Sequence, residues 1–201
     1  YIDIGALFYR EDLILALPDG ENINRRIKQS ISWDELLEIG DKYFPDQAIY
    51  LPQAEAYEGL ICNFNEILGR SLQDNQTGKI IELTDSLVVS RVQFIRDLIE
   101  SGRAPRAVLH MSEDDCIDYA LEHDVPFVRG WPTVNNNTEV RYDSEKFDLL
   151  ALAPLPHFPG ESPSPVFGGW NMMLSKHSPV KEASIAFMEF AASYAGQKIL
   201  Y

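Results

Sequence analysis

Four short clusters carry aromatic or acidic residues, three of them together with glycine or proline. They are Tyr1-Ile2-Asp3, Tyr57-Glu58-Gly59, Arg129-Gly130-Trp131-Pro132 and Gly168-Gly169-Trp170. Tryptophan and tyrosine present a flat apolar face with a polar edge. A carboxylate accepts strong hydrogen bonds from hydroxyl groups, and glycine lets backbone amides approach a ligand closely. Together these types suit a solute with C–H-lined faces and a rim of hydroxyls, as a sugar has. Residue type and spacing alone also allow a plainer arrangement, with Trp131 and Trp170 in the core and Asp3 and Glu58 solvated.

Other chemistries find little support. No Gly-rich phosphate loop follows a strand-like run, and Gly160-Glu161-Ser162-Pro163-Ser164 departs from a nucleophile elbow at its last residue. His110, His123, His157 and His177 lack the i, i+4 pairing of a zinc helix. Asp74 to Gly78 reads as a turn without the alternating acids of a calcium loop. No metal and no cofactor is therefore expected. Cys62 and Cys116 stand apart in helical segments and read as small buried apolar residues, which leaves the compartment open. Asn75-Gln76-Thr77 and Asn136-Asn137-Thr138 fit the glycosylation sequon, a pattern frequent by chance.

A net charge of −14 over 201 residues excludes a phosphate-tracking nucleic-acid binder and disfavours an anionic membrane surface. No run approaches the ~20 apolar residues of a spanning helix. The chain opens inside a strand pattern and stops inside a helical one, so a piece of a longer protein is expected.

The clusters need elements to position them, and those elements alternate. Strand-like runs occupy 4–9, 48–51, 126–129, 149–152 and 167–174. A short helix is expected from Arg10, then a polar connector over 18–30. Ser32 and Glu35 form a capping box for a helix to about Lys42, with Ile31 and Leu36 as its hydrophobic staple. Further helices are expected over 57–68 with Leu60, Ile61, Phe64, Ile67 and Leu68 as its apolar positions, over 86–100 with a stripe of Val88, Val92, Ile95 and Ile99, and from Ser112, paired with Asp115, to about Glu122. A last one is capped by Ser178 with Pro179 at its first position and Phe187 and Phe190 on its inner face. Alternation of this kind implies α/β architecture.

An ordered series of segments resembles the extracellular solute-binding proteins that feed carbohydrate ABC importers, in the trehalose/maltose-binding branch. The series runs Tyr1 to Leu13, Ser32-Trp33-Asp34-Glu35-Leu36, Tyr57-Glu58-Gly59-Leu60 with Cys62-Asn63-Phe64, and Arg129-Gly130-Trp131-Pro132. It ends with Pro154-Leu155-Pro156, Gly168-Gly169-Trp170-Asn171 and Ser175-Lys176-His177-Ser178. Gly130 stands where the family usually has Asn. Tyr119 to Val125 replaces the family's Phe-x-x-Gly-x-x-Ala segment before Trp-Pro.

The resemblance implies a periplasmic-binding-protein-like class II fold of two α/β lobes closing over a sugar. This chain would supply mostly the second lobe, with residues 1–166 in that lobe and 167–201 forming the strand and helix that cross back to the first. Tyr1, Asp3, Tyr57, Glu58, Arg129, Trp131, Gly169 and Trp170 would be the binding residues. In this reading Asp3 and Glu58 accept hydroxyl hydrogen bonds and Trp131 and Trp170 stack on sugar faces. The implied protein is not an enzyme. It would be a monomer when complete, periplasmic or extracellular and lipid-anchored, and would deliver a mono- or oligosaccharide to membrane permease subunits. Two alternatives are a sugar-sensing module of a receptor or regulator and a glycoside hydrolase, which needs two carboxyls facing one glycosidic bond.

Overall fold

The computed structural model describes residues 2–69, 82–132 and 144–200. The chain divides into a larger unit, Asp3–Phe167, and a smaller one made of Tyr1–Ile2 and Gly168–Tyr201.

In the larger unit a four-stranded sheet has the order β3-β4-β2-β5. Its strands are β2 (Ala6–Arg10), β3 (Tyr50–Leu51), β4 (Phe127–Gly130) and β5 (Leu150–Ala153), preceded in the chain by β1 (Ile2–Ile4). β2 runs antiparallel to β4 and β5, while β3 is parallel to β4. Every residue of β2 is buried, as expected for a strand covered on both faces. The two-residue period divides its side chains between two cores. Leu7 and Tyr9, with Phe127 and Tyr50, join Ile27, Trp33 and Leu36 on one face. Phe8, with Val128 and Leu51, joins Cys116, Ile117 and Ala120 on the other. Arg10 ends β2 with its guanidinium on the carboxylates of Asp12 and Asp124, each at 2.6 Å.

The helices of this unit are α1 (Glu11–Leu15), α2 (Gly20–Gln29), α3 (Trp33–Tyr43), α4 (Glu58–Leu68), α5 (Ser86–Glu100), α6 (Glu113–Glu122) and α7 (Ser144–Phe147). The α3 capping box is formed as expected: Ser32 Oγ accepts from the Glu35 N–H and Glu35 Oε2 accepts from the Ser32 N–H. Ile31 and Leu36 are both fully buried beside it. Ser112 and Asp115 make a second capping box at α6.

Several expectations require correction. Residues 18–30 are not a polar connector, because Gly20–Gln29 is helical. Ile23 and Ile27, four apart, bury one face of an otherwise polar segment, and Glu21 and Lys28 match the helix dipole at its two ends. The strand expected over 4–9 breaks at Gly5, whose N–H donates to Val166 O at 3.0 Å. The α5 stripe is Val88, Arg91, Ile95 and Leu98, with Val92 exposed. Arg91 reaches that inner face because its charge meets Glu161 while its guanidinium lies 3.3 Å from the Phe158 ring centre. Cys62 and Cys116 are free and buried. The turn at 74–78 and both sequons fall outside the described residues.

The smaller unit holds α8 (Lys181–Ala192) and α9 (Tyr194–Leu200), and most of β6 (Phe167–Gly169). β6 is shorter than the expected 167–174 run. The last long helix starts at Lys181 rather than Pro179, since Ser178 Oγ accepts from the Val180 N–H in a preceding turn. Phe187 and Phe190 are exposed rather than inward, and α8 buries none of its residues. No layer among the described residues covers that face.

Candidate functional site

The site residues of the larger unit are placed by β4 and by the first turns of α4. In β4, Arg129 stands opposite Leu7. α4 turns Gly59, Asn63 and Glu66 inward at helical spacing, and Glu66 meets Arg129 there. Arg129 Nη2 and Nε donate to the two Glu66 oxygens at 2.6 and 2.9 Å. Its Nη1 donates to Gln53 Oε1 at 2.7 Å, and Gln53 Nε2 returns a longer bond to the Arg129 carbonyl. The Arg129 side chain has no exposed surface and that of Glu66 is 4% exposed. Burial works against the Arg129 charge, yet the Glu66 carboxylate overrides it and holds the guanidinium more firmly protonated than usual.

Trp131, two residues on, lays its ring over this guanidinium with the carbon 3.9 Å from the ring centre. That separation is a close cation–π contact. The indole is half-buried, so it retains surface for a ligand. The expectation that Arg129 itself contacts a solute is corrected here. It is fully buried beneath Trp131 and its donors are engaged by Glu66 and Gln53, so it supports the ring and offers no surface of its own.

Tyr57 occupies the N-cap position of α4, and its hydroxyl donates to Glu113 Oε2 at 2.6 Å. Its ring folds over Gly59, where any Cβ would stand 2.3 Å from the phenolic oxygen. Burial and then the Glu113 carboxylate raise the Tyr57 pKa, keeping it a neutral phenol. Its oxygen can still accept a hydrogen bond. Glu58 is exposed in the first turn of α4, where the helix dipole favours a negative charge. The Cys62 thiol lies 3.9 Å from Glu58 Oε1, and burial pushes its pKa up, so it acts as a neutral group. Asp3 is buried, with Oδ1 accepting from the Ile4 N–H at 2.9 Å.

In the smaller unit, Gly169 adopts φ 143°, which L side chains rarely adopt. Trp170 after it is 75% exposed. Trp33, in contrast, is 2% exposed and packs edge-on against Tyr50 and Phe94, as a core residue should. Tyr1 lies outside the described residues. Sequence reasoning missed Glu66, Gln53 and Glu113. The available signal for Glu66 was an acid sharing a helical stripe with Gly59 and Asn63, where the apolar period alone drew attention to Ile61, which is 59% exposed.

Among the described residues no group of three or more His, Cys, Asp or Glu could hold a metal ion. None of their helices is long and apolar enough to cross a membrane. An open depression lined by Phe44, Asp46, Gln47, Ser101 and Arg103 contains none of the expected site residues.

No protein-family model matches the chain. Solved structures do. The maltose-bound MalE3 of T. maritima is similar over 98% of this chain and 50% of its own, with a TM-score of 0.80 and 28% identity. An ABC transporter solute-binding protein of Thermotoga lettingae TMO, bound with alpha-D-tagatose, has a TM-score of 0.78 and 19% identity over 98% of this chain and 50% of that one. The GacH receptor of Streptomyces glaucescens GLA.O, solved unliganded and with acarbose, has a TM-score of 0.74 and 20% identity, covering 99% and 49%. The chain therefore has the α/β fold of part of a MalE-like two-lobe binding protein, and it spans about half the length of the structures it is similar to. These structures hold maltose, alpha-D-tagatose and acarbose, respectively.

Proposed function

We propose that the chain is part of the substrate-binding component of an ABC-type sugar importer. Such a component binds a mono- or oligosaccharide, of trehalose or maltose type, and presents it to a membrane permease outside the cytoplasm. The observation that carries the reading is the similarity over 98% of the chain to a maltose-bound protein at 28% identity. The chemistry of the site agrees with it. Trp131 offers a ring face backed by a cation, Trp170 a solvent-exposed indole, and Glu58 an exposed carboxylate. A planar apolar face meets the C–H side of a pyranose, and carboxylates accept from its hydroxyls. Asp3, Tyr57, Glu58 and Trp131 are the proposed contacts of the larger unit, and Gly169 and Trp170 those of the smaller. Tyr1 is proposed from the sequence resemblance alone. Residues 1–166 are assigned to the second lobe and 167–201 to the crossing toward the first. Two-lobe closure belongs to the proposal as well: a sugar that binds the closed form better shifts the population toward it.

A thermal-shift panel of mono- and disaccharides on the full-length protein tests the reading. A ligand that binds only the native state raises the melting temperature. At least one sugar should do so in a concentration-dependent way. A flat response to trehalose, maltose and their monosaccharides would remove the proposed substrate class.

A further inference from the structure

The buried carboxylate of Glu66 has more partners than an ion pair requires. Oε1 accepts from Arg129 Nη2 at 2.6 Å and from the Val166 N–H at 3.2 Å. Oε2 accepts from Arg129 Nε at 2.9 Å. The same carboxylate rests against Gly5, where a Cβ would fall 2.0 Å from Oε1 and 2.8 Å from Arg129 Nη2. Gly5 is in turn bonded through its N–H to Val166 O. One side chain of α4 therefore fixes three things: the plane of the guanidinium beneath Trp131, the backbone at Gly5, and the backbone at Val166.

A guanidinium held by two parallel N–H···O bonds cannot rotate about its stem. With Gln53 accepting from Nη1 as a third restraint, its plane is set before any ligand arrives. An indole stacked at 3.9 Å inherits that orientation. Lysine at 129 could neutralise Glu66 but would offer a point charge and no flat face.

We propose that Glu66, assisted by Gln53, is a positioning residue for the Trp131 platform. It acts through the Arg129 plane and couples the ring's orientation to the Gly5 and Val166 backbone. The inference rests on the reading of Trp131 as a solute-stacking surface, but its first test needs no solute.

Full-length protein labelled with 5-fluorotryptophan gives a separate 19F resonance for each indole, and Trp131→Phe assigns the one of interest. Glu66→Gln should move the Trp131 resonance while those of Trp33 and Trp170 stay in place. Arg129→Lys should do the same. Gln53→Ala removes one acceptor and leaves the ion pair intact, so it keeps the test open if Glu66→Gln does not fold, and it should move the resonance in the same direction by less. An unmoved Trp131 resonance in every folded variant would overturn the proposal whatever the protein binds. The second readout uses the sugar giving the largest thermal shift. Glu66→Gln should weaken its binding about tenfold in the wild-type background and by less than twofold in a Trp131→Ala background. Equal losses in both backgrounds would show that Glu66 does not act through the ring. If no sugar binds the wild type, the proposed function fails while the 19F result still decides the positioning role.

Discussion

Gly5→Ala separates steric crowding from backbone strain at the centre of this arrangement. Gly5 does not adopt positive φ, so alanine fits its backbone. At an unstrained site such a change ordinarily stabilises a protein by ~0.4–1 kcal/mol, by restricting the unfolded chain. Here the new methyl would lie 2.0 Å from Glu66 Oε1, a contact real Cβ atoms essentially never make. The carboxylate would have to retreat by about 1 Å, which disrupts hydrogen bonds now at 2.6–2.9 Å to Arg129. Overpacking costs ~1–3 kcal/mol and breaking a buried ion pair ~3–5 kcal/mol, so we expect a destabilisation of about 3 kcal/mol. Gly102 is the contrasting case. It ends α5 at φ 80° with nothing within 4 Å of a Cβ, so alanine there costs about 1–2 kcal/mol of backbone strain alone. Asparagine, which tolerates that conformation, should recover much of the loss at 102 and make matters worse at 5. Urea denaturation of the folded protein, with m checked for constancy, measures all four variants. A Gly5→Ala protein within about 0.5 kcal/mol of wild type would refute the steric argument and, with it, the packing of Glu66 on Gly5.

Ser32→Ala removes the α3 cap and should cost ~1 kcal/mol in the same assay. The Ser32 N–H holds the Glu35 carboxyl below its ordinary value of 4.5, against opposing burial, and the Ser32 hydroxyl adds to this. Ser32→Ala keeps the N–H and loses only the hydroxyl's share, which is present above 4.5 and lost as pH falls through the folded-state value, so the gap between wild type and Ser32→Ala should narrow modestly on acidification. Cys116 has no exposed surface, and burial pushes its thiol pKa to about 12, so a thiol reagent at pH 8 should modify it only as fast as the protein unfolds. Rapid labelling of Cys116 in native conditions would contradict the two-faced burial of the sheet.

The parts legible in the sequence are those where local chemistry decides. Ser32 with Glu35, and Ser112 with Asp115, marked helix starts because a cap needs only residues three apart. The 86–100 helix was legible in extent, and its buried stripe in part: Val88 and Ile95 are buried as expected, whereas Arg91 and Leu98 take the places given to Val92 and Ile99. Arg91 takes an inner position through Glu161 and Phe158, which come from a distant loop. The 20–29 helix was hidden because only Ile23 and Ile27 carry its period, and its stability comes from what they pack against. At the site, Trp131 and Trp170 stood out by type and by their glycine and proline neighbours. The Arg129–Glu66–Gln53 set did not, since its members lie 63 and 76 positions apart and meet only when α4 lies beside β4. The fate of Arg129 shows the limit plainly: its place beside Trp131 marked it as a contact, and its burial makes it a support.

The central proposal is that the half-buried indole of Trp131, the exposed indole of Trp170 and the first-turn carboxylate of Glu58 each contact a sugar. Isothermal titration of the full-length protein with its best sugar tests this most directly, comparing wild type with Trp131→Ala, Trp170→Ala, Glu58→Gln and Glu58→Ala. A stacking contact is worth ~0.5–1.5 kcal/mol beyond the area it buries, so each tryptophan variant should lose about tenfold or more in affinity. Glu58→Gln keeps an acceptor and the shape while removing the charge, so it should lose less than Glu58→Ala. Unchanged affinity in both tryptophan variants and in Glu58→Ala would contradict the account and move the sugar to another surface.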